Sequence, residues 1–284
     1  MTDRYRLLIA CPDTPGIIAS VSDALWKEGA NITSFDQYSE GLENGMFYMR
    51  AEFDAAPGTD EPLTSRLQVM AEAYRMQWTL ALAGRPQRLA VFVSREDHCL
   101  NELLWQTQRG DIAAHIALII SNHADLQPLA ERFNIPYYHI PVTQTTKAHS
   151  EAEARRLIES HDAQTIVLAR YMQILSEDFV SAYPERIINI HHSFLPAFVG
   201  PKPYHQAYAR GVKLIGATAH YVTKDLDAGP IIEQDVHRVD HRHQLEDLKR
   251  LGRQVERMVL ARAVSWHVSD RVLVSGNRTV VFPF

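Results

Sequence analysis

Between Asn189 and Pro196 the chain reads NIHHSFLP, which places an asparagine, two adjacent histidines and a serine in one short run. Three chemistries are open to it: a metal site, a nucleophile–base pair, or a polar strand end. The run IINIH suits a β-strand, and side chains of a strand alternate between its faces. Alternation puts Asn189 and His191 on one face and Ile190 and His192 on the other. The adjacent histidines are therefore not expected to grip one ion together. A converging Asn and His suit acyl-type chemistry instead. The amide can donate to a developing oxyanion, and the imidazole can give a proton to it or to a leaving amine. The competing reading is a polar strand end that caps its neighbours.

A second run, IGATAHYVTKDLDAGPIIEQ from Ile215 to Gln234, adds His220 on a strand-like segment and Asp225 and Asp227 on a tight loop. A carboxylate beside an Asn/His strand end can activate or orient water; the competing reading is a solvated turn. His191, His192, His205, His220 and Asp227 could also supply three zinc ligands. Strand parity splits these histidines and no helix carries H-x-x-x-H, so no metal is expected. His205 is read as a helix cap. His237, His241 and His243 fall in a charged connector, and the remaining histidines, His98 among them, are scattered. ARYMQIL, Ala169 to Leu175, offers an apolar lip that can hold a flat ring. Ordinary packing competes for Ile174 or Leu175. The loop SREDHCLNELL lacks glycine, which speaks against a phosphate-cradling loop there.

The elements that must position these residues fall into two groups. The first part reads β-α-β-β-α-β, a ferredoxin-like order. It has an apolar run at Leu7–Ala10, a helical stripe at Ile17, Val21, Ala24 and Leu25, and strands NITSFDQYS and GMFYMRAEFD about a hairpin marked by Gly41 and Gly45. A second stripe follows at Leu63, Leu67, Met70 and Tyr74, then a strand in QWTLALAG. AGRPQR is the linker candidate. Beyond it, RLAVFVS, AAHIALIIS, AQTIVLAR and RIINIHH alternate with helical segments, which predicts a mostly parallel sheet covered by helices. Ligands bind such sheets outside the carboxyl ends of the strands, and NIHHSFLP falls at the end of the fourth predicted strand. A long helix over 244–267 and a terminal hairpin around Gly276-Asn277 complete the pattern.

The 284 residues are 46% hydrophobic and 22% charged with net charge −5, an ordinary globular composition. No basic footprint suggests nucleic acid or an anionic membrane. Cys11 and Cys99 form no C-x-x-C pair, which fits a reducing compartment. The N-terminus lacks a signal-peptide pattern and no apolar run approaches a membrane span, so a cytoplasmic location is expected.

NIHHSFLP, GATAHYV and LDAGPII, in that order and spacing, resemble the formyltransferase-type domain that acts on 10-formyltetrahydrofolate. The first part, with CPDTPGIIASVSDAL and Asn31-Ile32, resembles an ACT domain, and the two together resemble the formyltetrahydrofolate deformylase family. The resemblance implies an ACT regulatory domain over 1–83, a linker over 84–88 and a catalytic domain over 89–284. It implies Asn189, His191 and Asp227 as catalytic residues, and Met172, Ile174, Leu175 and His220 as folate-binding residues. The expected reaction is hydrolysis of 10-formyltetrahydrofolate to tetrahydrofolate and formate, which supplies formate for purine synthesis and balances one-carbon pools. The folate is the substrate and no cofactor is implied. A small amino-acid effector at the ACT domain and a homo-oligomer are further expectations. His192 stands where related transferases often have proline; this and the glycine-free loop fit a relative in which water replaces a phosphorylated amine. The alternatives are transfer of the formyl group to an amine and folate binding without turnover.

Overall fold

The computed structural model describes residues 2–41, 45–197 and 203–283. They form two compact units, one of Met1–Pro86 with Ser269–Ser275 and Val280–Phe284, the other of Gln87–Val268 with Gly276–Thr279. The break at Pro86/Gln87 lies within the 84–88 segment. The C-terminal assignment departs from the sequence expectation, which gave everything after residue 88 to the second domain.

In the first unit, β1 (Asp3–Pro12), α1 (Ile17–Lys27), β2 (Asn31–Ser39), β3 (Met46–Ala55), α2 (Asp60–Tyr74) and β4 (Gln77–Leu82) follow the β-α-β-β-α-β order. The strands lie in the order β2-β3-β1-β4, with β3 and β4 both antiparallel to β1. Two periodicities meet in its core. Tyr5, Leu7, Ile9 and Cys11 recur every second residue on β1, while Ile17, Val21 and Leu25 recur every fourth on α1, with Leu63 and Leu67 on α2. A separate apolar cluster joins Ala10 and Tyr48 to Phe282, with Leu273 and Val280 packed against it. Arg50, 1% exposed, donates to the carbonyls of Asp270 at 2.8 Å and Ser269 at 3.1 Å and to Glu52 at 2.6 Å. These contacts draw the C-terminal residues into this unit.

The second unit holds β5 (Gln87–Val93), α3 (His98–Arg109), β6 (Ala114–Ser121), α4 (Gln127–Arg132), β7 (Tyr137–His139), α5 (Lys147–Ser160) and β8 (Thr165–Leu168). Then come α6 (Glu177–Ser181), β9 (Ile187–His191), α7 (Pro203–Arg210), β10 (Leu214–Tyr221), β11 (Ile231–Arg238) and α8 (Leu245–Val268). Its seven-stranded sheet has the order β11-β10-β9-β8-β5-β6-β7. Strands β5 to β9 run parallel, and β10 is antiparallel to both β9 and β11. The chain steps outward from β5 to β7, then returns to β8 on the other side of β5. That reversal opens a crevice at the strand ends, where α/β sheets bind ligands. The hairpin β12 (Val272–Ser275) and β13 (Arg278–Val281) closes the chain.

Three elements were absent from the sequence reading. β7 has three residues and α6 has five, too few to show a period. β11 extends through His237, so the connector read as solvated is partly a strand, and only His241 and His243 lie beyond it. NIHHSFLP accordingly ends the fifth strand of the unit, β9.

Candidate active site

β9 and β10 pair so that His191 lies opposite Thr218 and Asn189 opposite His220. Directly paired residues share a face of the sheet, so Asn189, His191, Thr218 and His220 converge from two strands. The loop after β10 brings Asp227 back over them. Asp227 has φ 54, a left-handed conformation uncommon for a residue with a side chain. Gly229 allows the return, because a Cβ there would lie 1.8 Å from the carbonyl oxygen of Tyr221.

The polar groups form a short chain of contacts. His191 Nδ1 is 3.4 Å from Asp227 Oδ2, and His220 Nε2 is 3.8 Å from Asp227 Oδ1. Asn189 Nδ2 is 3.2 Å from His220 Nε2. The other nitrogen of His220 is 2.9 Å from the carbonyl of Tyr221, so Nδ1 carries the proton and Nε2 accepts from the Asn189 amide. Burial lowers the pKa of His220 and favours this neutral form. The contact with His191 lowers the pKa of Asp227 below the ordinary carboxylate value and outweighs its burial. Asp227 is therefore anionic at neutral pH. His191 Nε2 is buried and has no hydrogen-bond partner among the described residues.

These groups line one wall of a cavity of about 540 Å³. Met172, Ile174, Leu175, Val180, Val222 and Leu226 supply its apolar surface. Met172 and Ile174 are exposed, while Leu175 also packs against the core beneath the sheet, so both readings of Leu175 hold. The backbone N–H of Met172 donates to Ser94 Oγ at 2.9 Å and fixes the lip to the end of β5. All seven residues singled out from the sequence thus lie around this cavity. Asp225 is not among its lining residues.

His192 departs from the parity argument. β9 ends at His191, so alternation no longer governs the next residue, and the His192 ring stacks on His191 with centroids 5.3 Å apart and planes inclined by 21°. Residues 198–202, in the loop that follows, lie outside the described residues. The turn after His191 is held by Thr218, whose Oγ1 accepts from Leu195 N at 3.0 Å and donates to the Ser193 carbonyl at 2.9 Å. Thr218 was missed, although its place two residues before His220 on one strand was a usable signal. His98 and Glu256 were missed as well: His98 Nε2 lies 2.8 Å from Glu256 Oε2. Their ligand-type atoms and that of Cys99 lie within 4.8 Å of one another, the one such group among the described residues. Glu256 is already engaged by His98, Tyr204 and Arg170.

The formyl transferase family matches residues 87–264. A formyltetrahydrofolate deformylase of Bacillus subtilis (strain 168) is 54% identical, over 99% of this chain and 94% of that protein. The crystal structure of a formyltetrahydrofolate deformylase from Pseudomonas syringae pv. tomato str. DC3000 superposes with a TM-score of 0.95 at 48% identity, covering 99% of this chain and 95% of that one. The deformylase from Burkholderia mallei ATCC 23344 gives 0.92 at 43% identity, covering 99% of both chains. With the family match over residues 87–264 and these relatives alike over nearly the whole length, the chain belongs to the formyltetrahydrofolate deformylase family.

Proposed function

We propose that this chain hydrolyses 10-formyltetrahydrofolate to tetrahydrofolate and formate, with Asn189, His191 and Asp227 as its catalytic residues. The observation that carries the assignment is the division of labour on His191. Its Nδ1 faces Asp227, and its buried Nε2 has no protein partner in the wall of an apolar cavity. A formyl oxygen placed there would meet an N–H donor from His191 and a second from the Asn189 amide. Asp227 receives a hydrogen bond from the attacking water and takes its proton as the C–O bond forms. His191 stabilises the oxyanion, then protonates N10 of the folate as the C–N bond breaks. The proton held by Asp227 passes to His191 and restores both groups, and the formic acid leaves as formate with its proton lost to solvent. Met172, Ile174 and Leu175 hold the pterin, and His220 keeps the Asn189 amide turned toward the oxyanion. Donors aimed at developing charge in a water-poor site are the main source of rate in such chemistry.

Further parts of the reading concern the cell. The reaction uses no cofactor beyond its folate substrate. Formate release feeds purine synthesis, and the protein works in the cytoplasm; no helix among the described residues is long and apolar enough to cross a membrane. Residues 1–83 act as an ACT regulatory domain that takes a small amino acid, and the chain forms a homo-oligomer. The four-stranded sheet with two helices supports this only by analogy of fold. Turnover in ¹⁸O-labelled water tests the chemical step. Hydrolysis puts one labelled oxygen into each formate released, and formate without label would exclude water as the nucleophile.

A further inference from the structure

The proposed chemistry leaves unused a set of charged and polar side chains buried behind His192. Glu256 on α8 is 1% exposed. Its Oε1 accepts from Tyr204 OH at 2.5 Å, and its Oε2 lies 2.8 Å from His98 Nε2 and 3.4 Å from Arg170 Nε. Arg170, at the end of β8 with φ 64, directs a guanidinium N–H at His192 Nδ1. The His192 ring lies against His191 on one side and, with centroids 6.0 Å apart, against Tyr204 on another. A carboxylate removed from water is costly unless fully partnered, and here the partners form a line that ends on the proposed catalytic imidazole.

We propose that Glu256 is a positioning residue for the reaction: it anchors Arg170, which fixes the His192 ring as the surface against which His191 is aligned. The inference rests on the assignment of His191 given above. The arrangement has an electrostatic side. Because Arg170 donates to Nδ1, His192 is held as the neutral ring with its proton on Nε2. Burial, with Arg170 beside it, lowers its pKa to about 4. Burial would raise the pKa of Glu256, yet His98, Arg170 and Tyr204 hold it at about 2. The carboxylate thus offsets the Arg170 charge, and His191 sees no uncompensated cation from that side. Among the described residues, the titratable and charged groups around the stacked rings include Asp227, His220 and Lys224 from β10 and its loop, Arg170 from the end of β8, Tyr204 from α7, His98 and Cys99 from α3, and Glu256 from α8.

The test is the pH profile of formate release from 10-formyltetrahydrofolate by the full chain and its Glu256→Gln and Arg170→Gln variants, with His191→Ala as the control. Glu256→Gln keeps the size of the side chain it replaces, and Arg170→Gln removes the charge while leaving an amide that can still hydrogen-bond. Each is expected to lower kcat about 10- to 100-fold, the usual scale for outer partners of a catalytic group, with KM little changed. The basic limb should move to lower pH in Glu256→Gln, where a bare guanidinium opposes charge on His191. It should move to higher pH in Arg170→Gln, where a bare carboxylate favours it. A purely structural defect has no reason to move the limb in opposite directions. If Glu256→Gln fails to fold, Arg170→Gln decides alone by the direction of its shift. Limbs that stay in place or move together, with His191→Ala inactive, would overturn this inference and leave the role of His191 standing. Full activity in His191→Ala would overturn both.

Discussion

His191 has a carboxylate on one ring nitrogen and the cavity on the other, and its neighbours are arranged to keep it so. Asp227 stays ionised because His191 holds its pKa below the ordinary value. His220 is neutral and spends its Nδ1 proton on a backbone carbonyl, which leaves Nε2 to accept from Asn189. His191→Ala and Asp227→Asn should each cut kcat by at least about 10²–10³-fold, the scale for losing one oriented donor or its orienting partner. Circular dichroism should show both variants folded. Wild-type turnover in either, measured as formate released, would remove that residue from the chemistry. Strand parity brought Asn189 and His191 to one face from the sequence alone, whereas only the family resemblance separated Asp227 from Asp225, because a loop has no period to read. His192 was misplaced because parity was carried one residue past the end of β9. Glu256 and His98 were illegible for another reason: each looks like an ordinary polar residue of an amphipathic helix, and only the packing of α3 on α8 brings them together.

At the scale of elements, the site depends on one pair of antiparallel strands and the loop after them. The register of β9 and β10 sets Asn189 against His220 and His191 against Thr218, and a slip of one residue would turn the pair on the slipped strand to the opposite face. Gly229 lets the loop close on the backbone of Tyr221. Gly229→Ala should therefore displace Asp227 and lower kcat roughly 10²-fold, as expected for a misplacement of about 1 Å. Substrate affinity should change less, since the apolar lip at Met172–Leu175 is built on β8. Unchanged kcat in this variant would mean that the loop does not set the position of Asp227. The long apolar strands and helices were legible because their periods are. β7 and α6 were too short to be read. β11 has one buried residue, Ile232, and a largely polar sequence that resembles a connector until β10 is seen to pair with it.

At the scale of the whole molecule, the two units differ in what the sequence could reveal. The N-terminal unit follows the expected order, but its C-terminal part was hidden. Residues 269–275 and 280–284 look like the tail of the second domain, and their link to Arg50 and Tyr48 is made only by folding. Stability should carry the mark of buried neutral histidines. His267 bonds to Tyr221 and Thr165, and burial lowers its pKa to about 4. A histidine depressed in the folded state stabilises fully above its unfolded value near 6.5 and less as pH falls toward 4, because the unfolded chain binds the proton first. The loss approaches about 3 kcal/mol over that window. His267→Gln should flatten the fall of the urea midpoint between pH 6.5 and 4, and an equally steep fall would assign the pH dependence elsewhere. The central claim is that water, and no amine, receives the formyl group. Its most direct test is formate release from 10-formyltetrahydrofolate by the purified full chain with no acceptor present. We predict formate and tetrahydrofolate in equal amounts, at a rate that added amines do not raise. Formate-free turnover, or reaction only when an amine is supplied, would contradict it.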